Sequence, residues 1–146
     1  MTFRRKPRYA VAWVALTLAL AVHVFDEALH DFLAFYNPIA MSLRDVMLWT
    51  WMPTFEFGVW LGGLICVLAA LLSMSCLAFY GARWMVWAAL PYGLLMCGNG
   101  ALHLAASWYL RKLVPGVWSA PLLLVCGGWL LVEAVREWRA QRLNGA

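Results

Sequence analysis

Three stretches of the chain, residues 57–80, 84–110 and 113–132, contain no Asp, Glu, Lys or Arg, and each is at least 20 residues long. An α-helix rising about 1.5 Å per residue crosses a hydrocarbon core of roughly 30 Å in about 20 residues, so each stretch is long enough to span a bilayer. Apolar residues make up 65% of the 146 and charged residues only 12%. A soluble domain of this size has too much surface to cover with so few charges, so the chain is expected to live in lipid. The disordered, collagenous and disulfide-rich secreted classes are excluded by the same composition. The net charge of +4 does not point to nucleic acid, because the cations lie between and beyond the apolar runs rather than along one face.

The first apolar segment differs from the other three. It runs uninterrupted from Tyr9 to Val22 and then meets His23, Asp26, Glu27, His30 and Asp31. Arg4, Arg5, Lys6 and Arg8 before it, with Ala19-Leu20-Ala21 inside it, also resemble a secretory signal with an A-x-A cleavage site. A retained helix is the expectation, since it explains polar residues that a cleaved segment has no reason to hold. Continued to Tyr36, the segment is long enough to span. The expected architecture is therefore all-α: one domain over residues 1–146, a four-helix transmembrane bundle with helices at about 9–36, 54–80, 84–111 and 117–136. Residues 37–53 form an outer loop. Eight Lys and Arg (the four near the N-terminus, Arg83, Arg136, Arg139 and Arg142) fall on one side and three (Arg44, Arg111 and Lys112) on the other. Both termini are then cytoplasmic. Trp49, Trp51, Trp108, Tyr109 and Trp118 fall near the outer interface, and Trp84, Trp87 and Trp138 near the inner one.

The outer loop is amphipathic and is expected to lie along the membrane surface as a lid. Pro53 suits a helix start, Pro115-Gly116 a break between helices, and Pro91 a kink. Gly62-Gly63, Gly98, Gly100 and Gly127-Gly128 permit close helix approach, within one chain or between copies in a homo-oligomer. Cys66, Cys76, Cys97 and Cys126 are scattered through three apolar stretches with no C-x-x-C spacing, and read as packing thiols.

Ionisable groups inside a bilayer cost on the order of 3 kcal/mol each and call for a reason. At about 100° per residue, Asp26, Glu27 and His30 fall within about 60° of His23, so all four share one helix face. Asn99 and His103 are four apart on the third helix and also share a face. Glu56 opens the second. Measured from helix ends at Tyr36 and Arg111, the histidines, Glu27 and Asn99 have overlapping depths of roughly 10–20 Å. One polar layer in the outer half of the bundle is the expectation. Glu133 and Glu137, by contrast, read as solvated partners of Arg136 and Arg139, and Arg44 and Asp45 as surface groups.

His23-Val24-Phe25-Asp26-Glu27 resembles the signature of the HXXEE-domain family of small bacterial membrane proteins, and Asn99-Gly100-Ala101-Leu102-His103 resembles that family's second motif, N-x-x-x-H. The order of charged first helix, middle helices, N-x-x-x-H and a Pro-Gly turn extends the resemblance over most of the chain. Asp26 stands where the motif has its first glutamate, which shortens that arm by a methylene and makes Asp26 the ligand in question if the paired acids hold a metal. The resemblance implies an enzyme of the bacterial inner membrane and brings no substrate with it.

The residues support a metal site on their own account. Glu27-Ala28-Leu29-His30 is a Glu-x-x-His step of the kind that di-iron bundles use twice. It occurs here once, which disfavours a standard di-iron site. His23, Asp26, Glu27, His30, Glu56 and His103 still offer six ligands, and imidazole with carboxylate but no thiolate suits Zn, Fe or Mn, with Zn or Fe the first choices. Asn99 and Asp31 are expected to orient a ligand imidazole. No Gly-rich phosphate loop, G-x-S-x-G elbow or H-E-x-x-H pair is present. What remains is metal-bound water or carboxylate–histidine chemistry on a lipid, isoprenoid or similar apolar small molecule, with Glu27, His23 and Asn99 as catalytic groups. A metal-free acid/base isomerase is one alternative, with Trp60 and Trp108 offering aromatic faces. A proton-coupled carrier or channel subunit is the other.

Overall fold

The computed structural model describes residues 8–47 and 52–143. They form five helices: α1 (Arg8–Leu29), α2 (Phe32–Met47), α3 (Phe57–Phe79), α4 (Met85–Leu110) and α5 (Ala120–Leu143). No strand occurs among the described residues. Three helices, α1, α3 and α4, are long and apolar enough to cross a membrane. Glu133, Arg136, Glu137 and Arg139 place several charges in the second half of α5, which is not in that set. Arg4, Arg5 and Lys6, on which much of the inner count of cations rests, and Trp49 and Trp51 lie outside the described residues.

α1 is the central element, packed against α3, α4 and α5, while α4 and α5 make the most extensive pair. Its buried stripe includes Tyr9, Trp13, Leu16, Leu20 and Val24, the 3.6-residue spacing of one helix face. Polar tips on this stripe end on partners: Tyr9 Oη donates to the Ala78 carbonyl at 3.3 Å, and Trp13 Nε1 to the Leu71 carbonyl at 2.9 Å. These two bonds fasten α1 to α3. Between α4 and α5 the contact is close enough to exclude side chains. A β-carbon on Gly100 would come within 2.8 Å of the Ala120 carbonyl, and one on Gly127 within 2.7 Å of Cys97 Sγ. Gly62, Gly63, Gly98 and Gly128, by contrast, face open space.

The first helix is not continuous to Tyr36. It ends at Leu29, and Asp31 takes φ +52°, a left-handed conformation that turns the chain into α2. The 37–53 segment is accordingly not a loop, since residues 37–47 belong to α2. Pro38 lies in its interior, six residues past the start, and supplies no amide donor to the Ala34 carbonyl one turn back. α2 is tied to the approach to α3 by a reciprocal pair: Asn37 Nδ2 donates to the Phe55 carbonyl at 3.0 Å, and the Phe55 amide donates to Asn37 Oδ1 at 3.1 Å. Phe32 stacks on Trp60 at 5.6 Å and on Tyr36 at 5.5 Å. The last helix begins at Ala120 rather than 117 and continues beyond 136, because turn residues 114–119 are taken up with the polar cluster described next. Glu133 is buried rather than solvated, and is satisfied by Arg136 Nη1 at 2.7 Å.

Candidate metal centre

His23 and Glu27 are one helical turn apart on α1 and both point inward, because position 27 repeats the face of position 23. His103 enters the same space from α4. Glu27 Oε1 lies 3.2 Å from His103 Nε2 and 3.5 Å from His23 Nε2, and the two rings meet edge to face at 4.7 Å. All three side chains are buried. Each offers one ligand atom, and these atoms lie within 4.8 Å of one another.

The turn between α4 and α5 closes the group from the far side. Gly116 has φ +82°, and a β-carbon there would sit 2.8 Å from His23 Cε1 and 2.9 Å from His103 Cε1 and Nδ1. The main chain therefore rests directly against both imidazoles, which only glycine permits. The same turn binds the outer nitrogens: His103 Nδ1 lies 2.6 Å from the Pro115 carbonyl, and His23 Nδ1 lies 2.8 Å from Ser119 Oγ. A carbonyl only accepts, so His103 carries its proton on Nδ1 and, when neutral, turns a bare Nε2 lone pair toward Glu27. His23 Nε2 is buried with no hydrogen-bond partner. Three buried atoms thus face one point, and two of them, Glu27 Oε1 and the bare Nε2 of neutral His103, are acceptors only 3.2 Å apart. Such an arrangement is repulsive until a cation, metal or proton, sits between them.

The other candidates are distributed differently. Asp26 faces Ser119, accepting from its amide at 3.0 Å and its hydroxyl at 2.7 Å. His30 is half exposed at the end of α1, with Nδ1 2.9 Å from Asp26 Oδ1. Glu56 is exposed as the residue preceding α3 and makes no side-chain cap. Asn99 is half buried, with no side-chain hydrogen bond among the described residues, and Asp31 is exposed at the bend. None of these belongs to the three-residue group. The depth also differs from the sequence estimate. With α1 ending at Leu29, His23 and Glu27 lie only about 9 and 3 Å of helix from its end at 1.5 Å per residue.

Sequence reasoning missed Pro115, Gly116 and Ser119 as site residues, having read Pro115-Gly116 only as a break. One signal was available for Ser119, the sole hydroxyl residue in the charge-free stretch 113–132. The carbonyl of Pro115 had none, because a main-chain acceptor has no residue type.

No curated protein and no solved structure matches the chain. The family model described as "protein of unknown function with HXXEE motif" matches residues 13–130, a stretch that holds His23, Asp26, Glu27, His103 and the turn that embraces them, and the chain belongs to that family.

Proposed function

We propose that this protein is an intramembrane enzyme in which His23, Glu27 and His103 bind a divalent metal, Zn or Fe, beside a lipid-like or other apolar small-molecule substrate. The observation that carries the reading is the convergence of three buried ligand atoms, with His23 Nε2 left without a hydrogen-bond partner. Two imidazoles and one carboxylate make a three-ligand set that leaves coordination positions open, as catalytic zinc sites and non-haem iron sites do. A metal so held supplies Lewis acidity or an activated water. The protein's own contribution is a dry wall: Gly116 against both rings, and Phe32, 6.1 Å from His103, on the α2 side.

In this reading α1, α3, α4 and α5 cross a bacterial cytoplasmic membrane with both termini inside, and α2 lies at the outer surface above the site. The substrate enters from lipid or from that surface. The interior below the site supports a pocket over a carrier's path, since the buried polar groups between the site and Glu133, namely the Tyr9 hydroxyl, the Trp13 indole and the hydroxyls of Thr17 and Tyr92 3.3 Å apart, are all neutral. One observation favours a second reading. His103 Nε2 and Glu27 Oε1 are at hydrogen-bond distance once either carries a proton, which makes them an acid/base pair for metal-free isomerisation.

Elemental analysis of detergent-purified protein, prepared without added metal or chelator, separates the two. Near-stoichiometric Zn or Fe that is lost in His23→Ala/His103→Ala, with helicity retained, is the expected result. No bound metal in the wild type, even after reconstitution, overturns the metal reading and leaves the acid/base pair.

A further inference from the structure

The two acids of His23-Val24-Phe25-Asp26-Glu27 are adjacent in the chain, yet only Glu27 reaches the cluster. Asp26 Oδ2 instead accepts two hydrogen bonds from one residue, the amide and the hydroxyl of Ser119. Asp26, Ser119 and His23 are each more than nine-tenths buried. Ser119 has a single hydroxyl proton, and an ionised carboxylate only accepts. With that proton given to Asp26, or shared with the Gly116 carbonyl at 3.2 Å, the Ser119 oxygen meets His23 Nδ1 as an acceptor. The proton in the 2.8 Å contact therefore belongs to Nδ1. The reverse assignment would leave two acceptor oxygens, Ser119 Oγ and Asp26 Oδ2, 2.7 Å apart with no proton between them.

We infer that Asp26 and Ser119 are positioning residues, a carboxylate–hydroxyl relay that locks His23 in its Nδ1–H tautomer and turns the bare Nε2 toward Glu27 and His103. The unpartnered state of that nitrogen is the relay's product. For His103 the Pro115 carbonyl does the same work with one atom, so the turn between α4 and α5 sets the tautomer of both histidines. His30 closes the Asp26 end of the relay from the surface. The purpose of the device rests on the metal reading, since outer partners that fix a ligand imidazole strengthen metal binding. The tautomer itself is readable without metal.

The test is nitrogen-15 NMR of the full chain labelled at histidine, in detergent, metal-free and mildly alkaline, followed by chelator-competition titration with Zn alone. In the wild type His23 is expected to show a protonated Nδ1 and an unprotonated Nε2. Ser119→Ala is expected to release His23 toward the Nε2–H form, which can donate to Glu27, and to weaken Zn binding about 10- to 100-fold. His103 should keep its own signature, which reports that the fold persists. Ser119→Thr retains the hydroxyl and should restore both properties. An Nε2–H tautomer for His23 in the wild type overturns the inference without recourse to any variant. So does a Ser119→Ala protein whose His23 tautomer is unchanged. If the tautomers behave as expected and no form binds Zn, the relay stands and the zinc reading fails.

Discussion

The two ends of the bundle both bury polar side chains, and they treat them in opposite ways. At the end where α1 begins, each polar tip ends on a partner: Tyr9 on the Ala78 carbonyl, Trp13 on the Leu71 carbonyl, Glu133 on Arg136. At the end where α1 stops, Glu27 Oε1, His23 Nε2 and His103 Nε2 are aimed at one another, and His23 Nε2 is left without a hydrogen-bond partner. The first pattern is what burial in an apolar medium demands of structure. The second sacrifices stability, and proteins keep such arrangements where a bound species restores the balance. The contrast is sharper because the same end is otherwise well supplied: Asp26, Ser119 and Pro115 satisfy the Nδ1 side of both rings. Among the described buried side-chain atoms, only the inward-facing Nε2 of His23 is left bare.

Substitutions at the two ends put this contrast at risk. The largest effect is expected from Gly116→Ala, whose added carbon would sit 2.8–2.9 Å from atoms of both rings. Metal affinity should fall by about 100-fold or more, since two ligands move together, and chelator-competition titration would detect it. A variant that binds as the wild type does would mean that the turn is not a wall of the site.

Glu27→Gln should abolish metal binding while raising the thermal stability of the metal-free protein, by about 1 kcal/mol, because the carboxamide can donate to a histidine nitrogen that lacks a partner. A lower melting temperature in metal-free buffer would show instead that Glu27 serves the fold. Trp13→Phe tests the opposite end. Loss of the 2.9 Å bond to Leu71 and of ring volume should cost about 1–3 kcal/mol in stability with metal content unchanged. Glu56→Gln is expected to do least, less than about twofold in metal affinity, because the residue is exposed and outside the three-residue group. A large loss there would return Glu56 to the ligand set.

Much of the histidine end was legible in advance. The spacing of His23 and Glu27 places them on one face whatever surrounds the helix, and the N-x-x-x-H step marks His103 as a second contributor. The same periodicity overstated the case for His30 and Asp26. Both share the face of His23 to within about 60°, yet the helix ends at Leu29, so His30 escapes to the surface. Asp26 is claimed by Ser119, 93 residues away in the chain, a partner that no periodicity reveals.

The sequence by itself determined the helical, membrane-suited character of the chain, because long charge-free runs have only one economical way to satisfy their backbone in lipid. It also determined which ionisable residues could be neighbours along each helix, since that depends only on a fixed rotation per residue. The tertiary structure alone decided where α1 stops, which three of six possible ligands converge, and which atoms hold the rings. Those depend on a left-handed residue at Asp31, on the close approach of α4 to α5, and on main-chain atoms of residues 115 and 116. Convergence of side chains is set by how helices cross and turn, and backbone carbonyls, being common to every residue, leave no trace in a sequence.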